Sequence, residues 1–516
     1  MPAALRLFFS RHPLLRDALC WAMPALIIGA GLRLLLLSYL PYAFWGADSR
    51  SYFSFAHRLV TELYVSLDEK RRFLYPILML PISLLPGSPL RWVAILQHAF
   101  GVASLIPLAY VVRKCFVHWR LWIVPITLLF AGLPIVLWYE HELLGENIFF
   151  AMLLWAFAGW TAWVNEERLE RSRRLFWCFF VPFALFILTK PSGRFAWPGV
   201  IAGLVIVCAW RRLGRPQILA LCALIPVTLT VGSKKQAAWL LYTATFPLTQ
   251  LETPLHADYK AQIRDLVEPL ARNPDAYYLL DSEPFEFLDR PGNSPDRPLW
   301  AALAKNEKLK AKIYMDLAIE GIKARPALFV WFGVQRALSS ANLTTFGRNR
   351  FDGDYFRGKM RHFYAEAERD ERSPIRLAYA LPKHGPVPPY EEFIERLDPA
   401  SGSWRERVVR GWVDTVGQSL DFLRFPKVPK VERSIWLARP TLLGWWLALG
   451  IVLAFLPRYW RTLGVWTLLA MSYELGVFVV SQQNARYFGP TWPVLIVLLA
   501  VPADALLCWI RRAPQP

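Results

Sequence analysis

Apolar stretches of about 20 residues with few charges recur along this chain, and they constrain its fold more than any other feature. A helix needs about 20 apolar residues to cross ~30 Å of hydrocarbon, whereas the helices of soluble proteins are shorter and keep a polar face. Of the 516 residues, 55% are hydrophobic, with 24 Trp and 33 Phe, which is more than a soluble core requires. We therefore predict an all-α polytopic membrane protein with about 10 to 12 transmembrane helices.

The apolar pattern places ten spans, and their bounds divide the chain into three parts. The spans are 18–40, 90–112, 121–139, 143–164, 175–188, 195–210, 217–232, 435–456, 463–480 and 492–510. Those at 175–188 and 217–232 are short for a full crossing, so they either thin the bilayer or extend further. The parts are an N-terminal transmembrane module (1–232, about seven spans), an external region (233–434) and C-terminal transmembrane helices (435–516).

Basic residues flank the spans and predict how the chain is oriented. The formal net charge is +19, but the 59 Lys and Arg residues are not gathered into one domain or helix face, so we expect no nucleic-acid partner. Lys and Arg are retained in cytoplasmic loops, which places both termini in the cytoplasm. The segments that are then external are the first loop 41–89, the turns near Glu142 and Lys190, the region 233–434 and the turn 481–490.

One segment of the external region is apolar enough to touch the membrane. The stretch near 326–345 carries Arg336, and if it spanned the bilayer every later basic loop would move outside. We therefore favour an interfacial or re-entrant helix over a span. The rest of 233–434 mixes charges, prolines and aromatic residues, as expected of a mixed extramembrane region.

The first external loop begins with an acidic residue directly after the first span. Asp48 is followed by Tyr52 and by apolar residues at mostly helical spacing, which favours an amphipathic helix lying along the membrane surface. On this spacing alone, an N-cap of that helix is the favoured explanation of Asp48, and a chemical role is the alternative.

The same loop then crowds opposite charges before an apolar stretch that prolines interrupt. Glu69, Lys70 and Arg72 precede Tyr75, and the stretch that follows suits a segment that enters the interface and returns. Arg or Lys there could orient a phosphate and a carboxylate a sugar hydroxyl. A solvated set of mutually neutralising charges is the alternative.

The second external turn carries Glu140, His141, Glu142 and Glu146 within seven residues. Acidic groups at the end of a span are costly unless they are solvated, paired or bound to a cation. The identity of any metal is unknown; if one is present, we expect Mg²⁺ or Mn²⁺ held by Glu140 and Glu142. Hydrogen bonds between helices are the other explanation. The six cysteines have no paired spacing in polar regions and indicate neither a disulfide framework nor a metal site.

Two later turns bring cations to the same predicted side of the membrane. Lys190 and Arg194 lie between two short spans, and Arg486 and Tyr487 lie between the last two spans. Positive charge on the external side opposes the usual loop bias, so a bound anion is a reasonable explanation. Contact of these side chains with lipid head groups is the alternative.

Together these motifs resemble the C-type glycosyltransferase (GT-C) superfamily, which includes bacterial protein-mannosyltransferase and aminoarabinose-transferase-like proteins of glycosyltransferase family 39. The resemblance lies in Asp48, Tyr52 and Ala56, the core Arg72, Tyr75 and Pro76, the acidic second turn, the KPSGR turn and the late RYFGPTWP. It covers 1–232 and about 433–510, and in between only the fragment IEGIKARPALFVWFGVQRAL. No single motif is specific; their order and shared side carry the likeness. Asp48 is followed by Ser49 where the family's usual pair is Asp-Glu, which leaves metal dependence open.

This resemblance implies a catalytic module at 1–232 that transfers a sugar from a polyprenyl-phosphate donor to a lipid, glycan or protein acceptor. By position Asp48 would be the general base. The substrate-binding residues would be Tyr52, Glu69, Lys70, Arg72, Tyr75, Glu140, Glu142, Lys190, Arg194, Arg486 and Tyr487. The protein would be a multi-pass plasma-membrane protein of the bacterial inner membrane, with its active site on the periplasmic or extracellular face.

Other functions fit parts of this pattern. An oligosaccharide ligase or polymerase would use the same donor chemistry on a longer glycan. A transporter or flippase also needs many spans, but it should show inverted repeats with broken helices near the bilayer midplane, and the sequence shows no such halves. A catalytically silent scaffold leaves the convergence of Asp48, the acidic turn and the cations unexplained.

The orientation makes a prediction that does not depend on any function. A cysteine placed by Gly292→Cys, in the predicted external region, should be labelled by a membrane-impermeant maleimide added to intact cells, because this region should lie outside the membrane. Labelling only after permeabilisation would invert the assignment of sides.

Overall fold

The computed structural model describes most of the predicted spans and part of the external region. The described residues are 13–43, 49, 52, 74–83, 85–86, 88–230, 234–272, 306–340, 351–355, 357–358, 361, 402–424, 439–480 and 488–511. Among the sites predicted from the sequence, Asp48, Glu69, Lys70, Arg72, Arg486 and Tyr487 lie outside these residues.

Helices make up nearly all of the secondary structure in the described part of the chain. In the N-terminal part these are α1 (Pro13–Tyr39), α2 (Leu74–Ser83), α3 (Pro89–Ala103), α4 (Leu105–Cys115), α5 (Trp119–Ala131), α6 (Pro134–His141), α7 (Glu146–Val164), α8 (Leu169–Thr189), α9 (Trp197–Ile206) and α10 (Arg215–Thr230). In the rest they are α11 (Lys234–Thr245), α12 (Ala257–Arg272), α13 (Glu307–Ala324), α14 (Pro326–Ser340), α15 (Trp404–Ser419), α16 (Leu442–Leu453), α17 (Val465–Val480) and α18 (Trp492–Ile510). Two short strands, β1 (Leu423–Arg424) and β2 (Arg439–Pro440), pair antiparallel.

The helices confirm an all-α polytopic membrane protein, and each predicted span coincides with an apolar helix or helix pair. Six segments in the described residues are long and apolar enough to cross a bilayer, and α5 with α6 forms one bent pair at 47°. Three further apolar helices are shorter, at 192–206, 215–226 and 442–453. The span drawn at 175–188 belongs to α8, whose 21 residues allow a full crossing.

Prolines account for two interruptions within these spans. The break between α3 and α4 lies just before Pro107, which has no N–H to donate to the carbonyl four residues earlier. Pro134 begins α6 at the first helical position, where a missing N–H costs nothing, and the 47° bend lies directly before it. The acidic turn therefore follows a separate short helix rather than the end of a straight span.

The basic flanks of several helices meet at one end of the bundle. The Arg120 guanidinium lies 5.7 Å from the Trp21 ring centre, which joins the start of α5 to α1. Arg212 donates a hydrogen bond to the Glu166 carbonyl oxygen (2.6 Å), and Trp160 donates one to the Arg461 carbonyl oxygen (3.0 Å). The predicted cytoplasmic loops thus share one end of the molecule. The side of the membrane that it faces stays a prediction.

Part of the predicted external region has a hydrophobic core of its own. Helices α11, α12, α13 and α14 supply this core, in which the rings of Tyr242 and Tyr314 stack at 4.7 Å. Burial raises the pKa of the Tyr259 phenol in the same core well above its usual value. The three-part division of the chain stays a prediction.

The apolar segment near 326–345 corresponds to α14, which packs against α17. The structure describes 15 residues of this helix, as far as Ser340. Arg336 is buried, and its guanidinium donates to the main-chain carbonyl oxygens of Ala244 (3.3 Å) and Val479 (3.2 Å). These carbonyl oxygens satisfy the Arg336 guanidinium, whose burial would otherwise be costly. The interfacial or re-entrant position of this segment stays a prediction.

Close packing of α7 against α8 gives a test of this arrangement. A Cβ at Gly159 would lie 2.1 Å from the Cys178 carbonyl oxygen, whereas a Cβ at Gly31 in α1 would meet nothing within 4 Å. Gly159→Ala should therefore lower the free energy of unfolding by about 1–3 kcal/mol in detergent. The matched control, Gly31→Ala, should leave it unchanged or slightly raised. Equal melting temperatures for both variants would contradict this packing.

Candidate functional site

A buried ion pair organises the end of the bundle opposite the basic flanks. The Arg33 guanidinium in α1 lies 2.6 Å from a carboxylate oxygen of Glu140 in α6. Arg33 also donates to the carbonyl oxygens of Gly29 (3.0 Å) and Ala131 (3.1 Å). Arg33 is 2% exposed and Glu140 is fully buried, so this is a salt bridge inside the membrane-spanning part of the fold. It joins α1 to the bent pair α5 and α6.

Histidines extend this pair toward the acidic turn. The second carboxylate oxygen of Glu140 lies 2.8 Å from Nδ1 of His98 in α3, and Nε2 of His98 lies 3.0 Å from Nδ1 of His141. Gly101 leaves room for the carboxylate, because a Cβ there would lie 1.8 Å from Oε1 of Glu140. Both carboxylate oxygens are thus engaged, and a substrate or metal would have to displace Arg33 or His98 to reach them.

The Gln97 side chain ties the acidic turn to the first external loop. Its amide nitrogen donates to the carbonyl oxygens of Glu140 (3.0 Å) and Glu142 (2.8 Å), and its amide oxygen accepts from the Tyr75 hydroxyl (2.7 Å). The Asn147 side chain donates to the Gln97 carbonyl oxygen (2.6 Å). This one glutamine therefore fixes α2, α3 and the turn between α6 and α7 together.

Other contacts from the first loop reach the same place. The Ser49 hydroxyl donates to the Leu143 carbonyl oxygen (2.8 Å), and the ring of Tyr52 meets that of Tyr75 edge-on at 4.8 Å. Glu142 accepts a hydrogen bond from the Trp138 indole N–H (2.8 Å). The residue that follows Asp48 in the chain is therefore held against the acidic turn.

A second ion pair brings the KPSGR turn into this group. Lys190 Nζ lies 2.5 Å from a carboxylate oxygen of Glu146, and both residues are buried. The ammonium also lies 5.8 Å from the centre of the Phe149 ring. Arg194 follows one turn later and is half-buried, with its guanidinium 5.2 Å from the Phe195 ring centre. A phosphate can replace the carboxylate as the partner of such a buried cation.

Three segments predicted to be external thus meet at one end of the bundle. The predicted site residues that the structure brings together are Tyr52, Tyr75, Glu140, Glu142 and Lys190, joined by Glu146. Arg194 lies on the same turn as Lys190. The proposed base and the other predicted ligands lie outside the described residues, so their roles stay predictions.

Several residues that build this site are not among those predicted from the sequence. Arg33, Gln97 and His98 lie inside predicted spans, where the sequence predicts no role for them. Ionisable and amide side chains within a span are costly and mark functional or structural sites, so their position in the spans was the available signal. Their partners, by contrast, depend on which helices pack together.

A separate group of potential metal ligands lies at the opposite end. Ligand atoms of His118, Asp504 and Cys508 fall within 4.8 Å of one another, the one such group of three in the described ranges. The Asp504 carboxylate already accepts from the His118 main-chain N–H (3.0 Å) and the Tyr459 hydroxyl (2.8 Å). The Arg458 guanidinium lies 3.1 Å from the Cys508 sulfur, and its charge opposes a bound cation. These contacts join α18 to its neighbours, and a divalent cation stays a prediction.

Comparison with known proteins gives matches among solved structures alone. No protein-family model and no curated protein matches the sequence. The chain is similar to the oligosaccharyltransferase of Archaeoglobus fulgidus in its apo form, with 13% identity and a TM-score of 0.40 over 95% of this chain and 51% of that one. The chain thus spans about half the length of that protein.

Two further matches to solved structures also have low sequence identity. ArnT of Cupriavidus metallidurans, in a structure bound to undecaprenyl phosphate, is 12% identical with a TM-score of 0.33 over 96% of this chain and 81% of that one. The Archaeoglobus oligosaccharyltransferase in complex with Zn and sulfate is 13% identical with a TM-score of 0.30 over 86% of this chain and 57% of that one. TM-scores of this size, all below 0.5, carry no argument about the activity of this chain.

The central ion pair yields a stability test. Arg33→Met leaves the Glu140 carboxylate buried without its guanidinium and should cost about 3–5 kcal/mol of unfolding free energy. The double variant Arg33→Met with Glu140→Gln removes the uncompensated charge and should lose less than Arg33→Met alone. Denaturation of the purified proteins measures both losses. A double variant at least as unstable as the sum of its single variants would contradict a direct pair.

Proposed function

We propose that this chain is a membrane glycosyltransferase that moves a sugar from a polyprenyl-phosphate donor to a lipid, glycan or protein acceptor. One observation carries the proposal: Ser49 and Tyr75 of the first loop, the Glu142 turn and Lys190 meet at one end of the spans. The motif order noted in the sequence, which resembles the C-type glycosyltransferases, supports the same function.

The reaction requires a base for the acceptor and positive charge for the leaving group. Asp48 takes the proton of the acceptor hydroxyl, and the hydroxyl oxygen of the acceptor forms a bond to the anomeric carbon of the donor sugar. The bond from that carbon to the phosphate oxygen breaks, and polyprenyl phosphate leaves with the electron pair. Asp48 precedes Ser49, whose hydroxyl bonds to Leu143, and this contact is the support for placing the base beside the acidic turn.

Lys190 is the first candidate to stabilise the departing phosphate. It is a buried cation at the end of a span, and the Glu146 carboxylate neutralises it at 2.5 Å. An anion that reaches a preorganised cation in a water-poor site is stabilised more strongly than in water. Arg194, Arg72 and Arg486 are the further candidates, in that order, and the isoprenoid tail lies against apolar helix faces.

Tyr75, Glu140 and Glu142 take supporting roles in this proposal. Glu140 holds Arg33 and His98 and so positions the turn, whereas the Tyr75 hydroxyl reaches the same turn through Gln97. The positive-inside rule supports a site on the non-cytoplasmic face, in the periplasm if the protein resides in a bacterial inner membrane. The same donor chemistry would serve an oligosaccharide ligase or polymerase.

Substitution of the proposed base is the direct test. Asp48→Asn should lower transfer by about 10²-fold or more, because an amide cannot take the acceptor proton. The donor for this assay is the lipid-linked sugar that accumulates when the gene is deleted, identified by mass spectrometry. Asp17→Asn, at the far end of α1 and partly exposed, is the matched control and should transfer at the parental rate.

Both variants should reach the membrane in equal amounts and melt at the parental temperature. Transfer by purified Asp48→Asn at the parental rate would show that the base is assigned to the wrong residue.

A further inference from the structure

Glu474 is a buried acid that has no role in the proposed reaction. It lies in α17 and is 8% exposed. Neither of its carboxylate oxygens has a hydrogen-bond partner with acceptable geometry in the described part of the protein. Almost all buried polar groups of native proteins are paired, so an unsatisfied carboxyl within a span calls for a physical explanation.

The hydroxyl groups of Thr491 and Ser472 donate their hydrogen bonds to other acceptors. Glu474 interacts with Thr491, but the Thr491 hydroxyl donates to the Phe488 carbonyl oxygen (2.8 Å). The neighbouring Ser472 hydroxyl donates to the Leu469 carbonyl oxygen (3.0 Å). An ionised carboxylate without a donor is very unfavourable in such a place. Glu474 is therefore expected to carry a proton, which makes it a hydrogen-bond donor.

A second unsatisfied group lies on an element that packs against α17. The 3₁₀ turn Pro191–Ala196 contacts α17, and the buried hydroxyl oxygen of Ser192 in this turn also has no partner among the described residues. The turn directly follows Lys190 and contains Arg194. Two polar groups without partners therefore lie on two elements in contact with each other, and one of these elements carries the candidate phosphate-binding cations.

Aromatic contacts connect Glu474 with Lys190. The ring of Tyr473, the preceding residue, lies 6.0 Å from Phe149 and 6.2 Å from Phe186. The Lys190 ammonium lies 5.8 Å from the same Phe149 ring. The residue that adjoins Glu474 in the chain is thus separated from the cation by a single aromatic side chain, so Glu474 belongs to the same end of the bundle.

We propose that Glu474 is a ligand-binding residue of this site and donates a hydrogen bond, as a neutral acid, to the head group of the lipid donor. This inference rests on the proposed function, because it takes the head group to be a phosphate with its attached sugar. A neutral acid at this end of the bundle can donate to a phosphate or sugar oxygen, whereas an ionised carboxylate would repel the phosphate. Ser192 supplies a second hydroxyl for the same head group.

Reaction with dicyclohexylcarbodiimide tests this role, because this apolar reagent modifies protonated carboxyl groups in apolar surroundings. The purified full-length protein would be labelled at pH 7 with and without undecaprenyl phosphate, and the labelled positions mapped by mass spectrometry. We expect label at Glu474, and at least a five-fold slower reaction with the lipid bound. Asp504, which is fully buried at the opposite end and accepts several hydrogen bonds, is the control carboxyl, and any label that it takes should form at the same rate with and without the lipid.

Binding of the same lipid, measured separately by thermal shift, distinguishes the possible failures. If undecaprenyl phosphate binds, but Glu474 is unlabelled or reacts equally fast with and without it, the inference is wrong and the proposed function stands. If the lipid does not bind at all, the proposed function itself fails. Glu474→Gln keeps a donor and should bind the lipid nearly as the parent does, whereas Glu474→Leu should bind it at least ten-fold more weakly. Equal binding by both variants would also overturn the inference.

Discussion

The salt bridge between Arg33 and Glu140 is the interaction on which the functional end of the molecule depends. Two opposite charges are buried where water cannot reach them, so each is stable only while the other is in place. Arg33 adds hydrogen bonds to two main-chain carbonyls, and His98 completes the shell of Glu140. Three spans are therefore held in one arrangement by a group of charges that could not be buried separately.

This constraint determines where the connecting segments lie. Glu140 lies in the last turn of a short helix that a 47° bend sets apart from α5, and the acidic turn follows directly. Gln97, next to His98 in α3, uses its side-chain amide to fix that turn and Tyr75. The ion pair of Lys190 and Glu146 then brings in the next turn. Loops distant in sequence thus form one polar site at the end of an apolar bundle.

The spans could be predicted from the sequence because bilayer thickness sets the length of a crossing helix, and each predicted span coincides with an apolar helix or helix pair. The convergence of the first loop, the acidic turn and Lys190 could also be predicted, since topology places them on one side. The partners of Arg33 and the unsatisfied carboxyl of Glu474 could not, because both depend on helix packing rather than spacing.

An experimental structure with undecaprenyl phosphate bound would test the central claim most directly, because it would locate the anion without reference to activity. The account predicts the phosphate within hydrogen-bond distance of the Lys190 ammonium, beside the acidic turn, with the isoprenoid tail along the apolar helices. A phosphate bound instead among Arg113, Arg120 and Arg458, at the opposite end of the bundle, would contradict it.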